Sequence, residues 1–310
     1  MRGPPEDRTP AELLAFGVVN LDKPPGPSAH QVSGWLRDAT GEHVAAADYA
    51  GEWAAAHAGT LDPKVTGCLP VLLGDATRLA QVFLEGAKEY VAVLELHDDP
   101  PSDAEAVIDS FEGELYQKPP RKSAVTRRLR TREIYGLDLL EVRDRQALIR
   151  IRCESGTYIR KLCHDLGLAL GTGAHMGDLR RTATDPFDDR DLHTMHDLVD
   201  ALAFLDEGDE ASLREVVDPA ERALAHLPHV TIAESAAREV AEGAPVYAPG
   251  VLSVEDDAAP VAGWGADAES DDAPLVACFT PDDAAICLGR IVGDPEADAG
   301  VAVALERVLT

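Results

Sequence analysis

The sequence predicts an α+β fold in three parts. These are an N-terminal arm (1–15), a mixed sheet with flanking helices (16–228) and a small β-rich C-terminal domain (229–310). Three observations predict it. Strands of good β-formers and helix-spaced segments follow one another irregularly through residue 228. Beyond His229 short strands dominate. A chain of 310 residues with a 45% hydrophobic fraction is long enough for two domains and apolar enough to bury cores.

Residues 1–15 are Pro-rich and charged and read as an extended arm. Gly17–Leu21 is a short apolar strand, stopped by the Lys23–Pro27 turn, whose prolines cannot donate to a ladder. Ser28 is a good N-cap for a helix to about Asp38, with Val32, Trp35 and Leu36 on one face. After an acidic, Ala-rich connection, Leu69–Leu73 is apolar and residues 76–86 have helical spacing through Leu79, Val82 and Phe83. Lys88–Leu96 is a strand, and Ser102 with Glu105 forms a capping box for a helix to about Phe111. Leu148–Cys153 is a strand whose alternation sets Arg150 and Arg152 on one face. It leads through a Ser-Gly-Thr turn into an apolar helix ending at Leu170, with Tyr158 and Arg160 beside the unpaired amides of its first turn. Another helix covers Met195–Leu205. The last part carries strands at 229–232, 245–254, 275–279, 285–292 and 301–309, a short helix at 234–242 and a solvated loop at 255–274.

Charge narrows the function. There are 28 basic against 56 acidic residues, a net charge of -28. Such acidity ordinarily argues against nucleic-acid binding, because phosphates repel carboxylates, and the apolar content excludes disorder as its cause. Only six of the basic residues are lysine. An acid-rich, Lys-poor globular chain fits a cytoplasm of molar salt, where the screening length is about 3 Å and self-repulsion is suppressed. Against this background Lys118–Arg132 holds seven positive side chains and no acid. A charge run is ordinarily a solvated face, but here the local sign opposes the global one, which favours contact with a polyanion. Arginine suits planar, bidentate phosphate contacts.

The five cysteines form no CxxC pair and read as reduced core residues of a cytoplasmic protein. Glu6, Asp7 and Glu12 interrupt any signal peptide, and no run of about 18 apolar residues exists to span a membrane.

The stretch from His57 to Pro70 carries one carboxylate, Asp62, between a flexible Gly59-Thr60 pair and the rigid Pro63. Asp-Pro is ordinary turn chemistry, so residue type alone favours a structural aspartate over a nucleophile or general acid–base. Other motifs remove alternatives. Met176 stands where a dinucleotide fingerprint beginning at Gly171 needs its third glycine. His193 and His196 lack a third ligand nearby and sit where a helix starts. No Walker loop occurs, so a metal-dependent or nucleotide-hydrolysing enzyme is poorly supported.

Taken together, five spaced motifs resemble the TruB-type pseudouridine synthases. They are Asn20-Leu-Asp-Lys-Pro-Pro-Gly26, His57 to Pro70, Lys88-Glu-Tyr-Val-Ala92, Gly156-Thr-Tyr-Ile-Arg160 and Leu179-Arg-Arg-Thr182. Gln117 to Val125 and Gly171 to Met176 resemble the archaeal dyskerin-like branch, the catalytic subunit of H/ACA ribonucleoproteins. The resemblance implies a pseudouridine synthase domain followed by a PUA domain at 229–310. It implies Asp62 as the catalytic carboxylate, Tyr90 stacked on the target base and Arg160 paired with Asp62. It also implies His57, Thr60, Tyr158, Leu179 and Lys23 around the substrate. Lys118, Arg121, Lys122, Arg127, Arg128, Arg130, Arg180 and Arg181 are then expected along the RNA backbone. Two features depart from relatives. Trp53-Ala-Ala-Ala56 lies where a basic residue is common, and the proposed PUA domain carries only Arg238, Arg290 and Arg307.

The implied reaction isomerises uridine in rRNA, guided by H/ACA RNA, or in the T-loop of tRNA. The base must leave its stack, which calls for an aromatic ring and an apolar side chain around it. A guanidinium keeps the carboxylate ionised and fixes its rotamer. Neither redox chemistry nor phosphate activation is needed, so no cofactor and no metal are expected. The expected partners are tRNA, rRNA, guide RNA and the small H/ACA proteins. Two other classes compete: a non-catalytic RNA-binding scaffold, which the intact Asp62, Tyr90 and Arg160 oppose, and an acid–base hydrolase, which the missing second carboxylate opposes.

Overall fold

The computed structural model describes residues 1–45, 49, 51–119, 128–255 and 273–310. The N-terminal segment is helical, not extended. A 3-10 turn at Pro5–Asp7 precedes α1 (Pro10–Ala15), which Thr9 and Glu12 close with a capping box. Leu13 and Leu14 are buried, and this apolar pair draws the segment onto the core.

There follow β1 (Gly17–Lys23), α2 (Ala29–Ala45), β2 (Ala55–His57), β3 (Thr66–Leu73), α3 (Val82–Glu85), β4 (Lys88–Leu96) and α4 (Ala104–Asp109). Next come β5 (Gly113–Gln117), β6 (Arg130–Arg143), β7 (Gln146–Cys153), α5 (Ile159–Ala169), β8 (Ala174–Thr184) and β9 (Phe187–Asp188). Then α6 (Met195–Asp206), α7 (Ala211–Val216) and β10 (Asp218–Pro219) complete the first unit. Its ten strands form one sheet in the order β10-β1-β3-β8-β4-β7-β6-β5, with β2 added to β3 and β9 to β8. Neighbouring strands run antiparallel except β3 and β8, which are parallel with Thr66 opposite Arg180 and Gly67 opposite Arg181. This parallel seam positions the site.

Several local expectations change. Ser28 and Gln31 do cap α2, but the helix continues to Ala45 and Trp35 stays 47% exposed while Val32 and Leu36 are buried. Residues 76–86 divide into a 3-10 turn (Gly74–Leu79) and α3, with the Thr77 hydroxyl donating to the Gly74 carbonyl. The Ser102 capping box does not form; Asp103 precedes α4 without a side-chain cap. Neither β8 nor β6 was anticipated, since glycines and charged residues give both a weak strand signature.

The second sheet contains β11 (His229–Ile232), β12 (Val246–Tyr247), β13 (Val251–Glu255), β14 (Leu275–Phe279), β15 (Ala285–Ile291) and β16 (Val301–Val308), with α8 (Glu234–Ala241) packed on it. Its order is β12-β16-β15-β14-β11-β13, and β11 and β14 are parallel. A shared apolar cluster joins the two sheets: Phe16, Leu72 and Phe83 from the first pack with Leu275, Phe279 and Leu309 from the second. All five cysteines are buried and unpaired. No helix among the described residues is long and apolar enough to cross a membrane.

Candidate active site

The Asp62 loop is held from both sides and from below. β2 ends at His57, and Gly59 takes φ +133, a left-handed conformation that favours glycine. The Gly26 N–H donates to the Pro63 carbonyl at 2.8 Å, and the Val65 N–H to the Asp62 carbonyl at 3.0 Å. Leu61 and Val65 are buried in the same core cluster as Tyr90 and Leu179, so Asp62, Pro63 and Lys64 arch outward between two apolar anchors. Lys23 is fully buried and donates to the carbonyls of Val65 (2.7 Å), Pro24 (3.0 Å) and Pro63 (3.1 Å). Its place is therefore beneath the loop as a backbone anchor, which corrects the expectation of a substrate contact.

Arg160 forms an ion pair with Asp62 across the opening. It is the second residue of α5, whose N-terminal end is fixed by an unforeseen residue. Buried Gln117 accepts the Tyr158 N–H at 2.9 Å and donates to the Tyr158 carbonyl at 3.3 Å. That clamp ties the end of β5 to the start of α5 and leaves the half-buried Tyr158 at the helix edge.

The floor comes from strand alternation. Tyr90 on β4 lies opposite Arg181 on β8, and Ala92 opposite Leu179, so all four share one face of the sheet. Tyr90 is 9% and Leu179 7% exposed. Burial pushes the Tyr90 phenol up, while Arg181 pulls it the other way. His57 is half-buried; burial, then the charges of Arg181 and His30, hold its imidazole below the usual range, so it is mostly neutral at pH 7. Thr60 is exposed on the loop.

The basic residues separate into distinct environments. Arg181 is 1% exposed, so it cannot reach an RNA backbone; alternation with Leu179 and Ala183 turns it inward, and the backbone role expected for it is withdrawn. Arg180 faces the other way and is half-exposed, held by both oxygens of Asp22 at 2.9 and 3.3 Å. Lys64, Lys118 and Arg128 are exposed and Arg130 is half-buried, and none of the four pairs with a carboxylate among the described residues. Arg121, Lys122 and Arg127 lie outside the described residues. Elsewhere on this acidic chain most exposed arginines are paired, among them Arg143, Arg145, Arg150 and Arg190. Positive charge free of carboxylates thus gathers beside Asp62 and at the end of β5. No cluster of three or more His, Cys, Asp or Glu side chains suited to a metal ion occurs among the described residues.

Comparison with known proteins agrees with this architecture. Residues 49–159 match the N-terminal domain of the TruB family of pseudouridylate synthases, residues 160–225 the C-terminal domain of tRNA pseudouridylate synthase B, and residues 3–33 the DKCLD (NUC011) domain. The chain is 63% identical over 317 residues to the probable tRNA pseudouridine synthase B of Halobacterium salinarum, covering 100% of this chain and 99% of that protein. It is also 63% identical to the protein so named in Haloarcula marismortui, over 309 residues that cover 100% and 93% of the two chains. Among solved structures, the crystal structure of a Cbf5-Nop10-Gar1 complex superposes with a TM-score of 0.87 at 42% identity, covering 100% of this chain and 89% of its counterpart. An H/ACA RNP bound to a substrate RNA containing 2'-deoxyuridine gives 0.85 at 41% identity, covering 99% and 89%. With both halves of the family pattern matched in order and near-complete coverage by relatives, the chain belongs to the TruB family of pseudouridine synthases.

Proposed function

We propose that the Asp62 cleft converts uridine to pseudouridine in rRNA under the direction of an H/ACA guide RNA, in the T-loop of tRNA, or in both. The observation that carries this reading is the Arg160–Asp62 ion pair, set on a loop whose buried neighbours pack with Tyr90 and Leu179. The reaction breaks the N1–C1′ bond, turns the base and forms a C5–C1′ bond, with loss of the C5 proton and no net oxidation. In this reading Asp62 supplies the carboxylate that supports bond exchange at the sugar or base, and Arg160 keeps it ionised and aimed. Tyr90 stacks on the flipped uracil, Leu179 and Tyr158 bound its pocket, and His57 and Thr60 contact the nucleotide. Lys64, Lys118, Arg128 and Arg130 receive the backbone, together with Arg121, Lys122 and Arg127.

The same reading divides the chain into an N-terminal arm (1–15), a catalytic domain (16–228) and a PUA domain (229–310). The solved relatives include complexes with Nop10, Gar1 and substrate RNA, and we propose corresponding small partner proteins and guide RNA for this chain. Cytoplasmic residence is proposed on the five buried, unpaired thiols.

The test is pseudouridine formation in molar KCl, with tRNA alone and with guide RNA, target rRNA and the small partner proteins. Asp62→Asn should lower single-turnover isomerisation at least about 10³-fold while RNA binding stays near wild type. Full activity in that variant would rule out the assignment. A wild-type chain that binds both RNAs but modifies neither would instead support the scaffold reading.

A further inference from the structure

Arg181 is the largest of the fully buried side chains, and no carboxylate pairs with it among the described residues. An uncompensated buried guanidinium is costly, so what it touches is informative. Its Nε donates to the Cys68 carbonyl at 2.7 Å and its Nη2 to the Gly59 carbonyl at 3.3 Å. These carbonyls stand on either side of Asp62 along the chain, at the start of its loop and at the strand that ends it. Across the register on β4 lies Tyr90, whose phenol feels the Arg181 charge.

The surrounding backbone leaves the side chain little choice of position. Gly67 adopts φ +96, and a Cβ there would lie 2.2 Å from the Arg181 carbonyl; a Cβ on Gly59 would lie 3.3 Å from Arg181 Nη1. Gly67 thus lets the β8 backbone approach β3 closely, and Gly59 leaves room beside the guanidinium where it runs under the loop. Two further buried cations lie nearby, and both are solvated by carbonyls: Lys23 as described, and Lys88 through Phe83 (2.8 Å) and Gly86 (2.9 Å). The loop therefore rests on positive charge in a low-dielectric interior, with Arg160 closing it from outside.

We propose that Arg181 is a positioning residue of the isomerisation, a buried guanidinium that fixes the Asp62 loop through Gly59 and Cys68 and aligns it with Tyr90, its register partner on β4. This rests on the roles assigned above to Asp62 and Tyr90. Its N–H groups hold both ends of the loop in one frame with the strand that carries the tyrosine. Because it touches no RNA, it acts on the chemical step and not on binding.

Arg181→Met and Arg181→Lys separate charge from geometry. Single-turnover rates at saturating RNA and RNA affinity are measured for each in molar KCl, with circular dichroism as the check on folding. Arg181→Met should lower the rate about 100-fold with RNA affinity within about threefold of wild type. Arg181→Lys keeps the charge but loses the fork, so its rate should fall only about tenfold, a partial rescue relative to the Met variant. A Met variant with wild-type rate, a loss confined to RNA affinity, or a Lys variant no faster than the Met variant overturns the proposal. Should the Met variant not fold, the Lys variant decides, and a wild-type rate there overturns it. Wild-type activity and its loss in Asp62→Asn test the underlying assignment independently of either variant.

Discussion

Asp62 and Arg160 are each about half exposed, at 51% and 49% of their side-chain surface. An ion pair so open to water stabilises a fold by about 1 kcal/mol or less. Its removal should therefore separate stability from activity. Arg160→Ala should leave thermal stability within about 1 kcal/mol of wild type and lower the single-turnover rate about 10²- to 10³-fold; paired losses of both would make the pair structural. Lys88 behaves in the opposite way, since burial brings its ammonium down to about 8, with the Arg181 charge adding to the effect. Between about pH 8 and the ordinary lysine value near 10.4 the unfolded chain holds a proton that the native chain has released. Stability contributed by this group therefore rises with pH across that window and is at its lowest below pH 8. Nζ-resolved NMR titration in molar KCl should show Lys88 changing near pH 8, and a normal lysine titration at that position would contradict the burial argument. At this scale the sequence was legible where chemistry and motif coincide. Asp62, Tyr90, Arg160 and Leu179 are all at or beside the loop. Lys23 and Arg181 were misplaced because a cation in a motif reads as a ligand contact, whereas here carbonyl oxygens take the charge.

The seam between β3 and β8 is the element on which the loop depends, and it had the weakest sequence signature. Periodicity located β1, β4, β7, α5 and α6, whose apolar faces are regular. It failed over 174–184, where His175, Gly177, Asp178 and two arginines mask a strand whose burial alternates at Leu179, Arg181 and Ala183. Had Arg180-Arg181 been set in that period-two pattern, one inward and one outward arginine would have followed. Gln117 was missed for a different reason: a buried amide clamping a distant helix start leaves no local trace. The close approach at the seam makes a sharp prediction. In Gly67→Ala the new methyl group meets the Arg181 carbonyl at 2.2 Å and the Arg180 Cγ at 2.9 Å, at a φ of +96 that alanine avoids. The strand has to shift, so stability should fall by about 3 kcal/mol, and the loop should lose its register with Arg181. Thermal denaturation beside a single-turnover assay checks both effects, and a neutral substitution would mean that the seam is looser than these distances indicate.

For the whole molecule, charge and packing pull in opposite directions. A net charge of -28 on 310 residues repels itself, and the short screening length of molar salt is what relieves it. Relatives from Halobacterium salinarum and Haloarcula marismortui fit that setting. Two sheets could respond to salt separately, but their contact here is a core and not a hinge. Phe16, Leu72 and Phe83 share one apolar cluster with Leu275, Phe279 and Leu309. The helical N-terminal segment adds a polar strap, since buried Arg8 grips Glu221 at 2.6 and 2.8 Å and a Glu221 oxygen also accepts the Ala285 N–H at 3.2 Å. Both sheets should therefore unfold in one calorimetric transition whose midpoint climbs as KCl is raised from dilute buffer to molar concentration. Arg8→Ala tests the strap directly: it leaves Glu221 nearly buried without its cation, at a cost of about 3–5 kcal/mol. If the strap and cluster bind the sheets as one unit, that variant lowers a single midpoint. Two resolved transitions in the wild-type chain at molar salt would show that the cluster does not couple them.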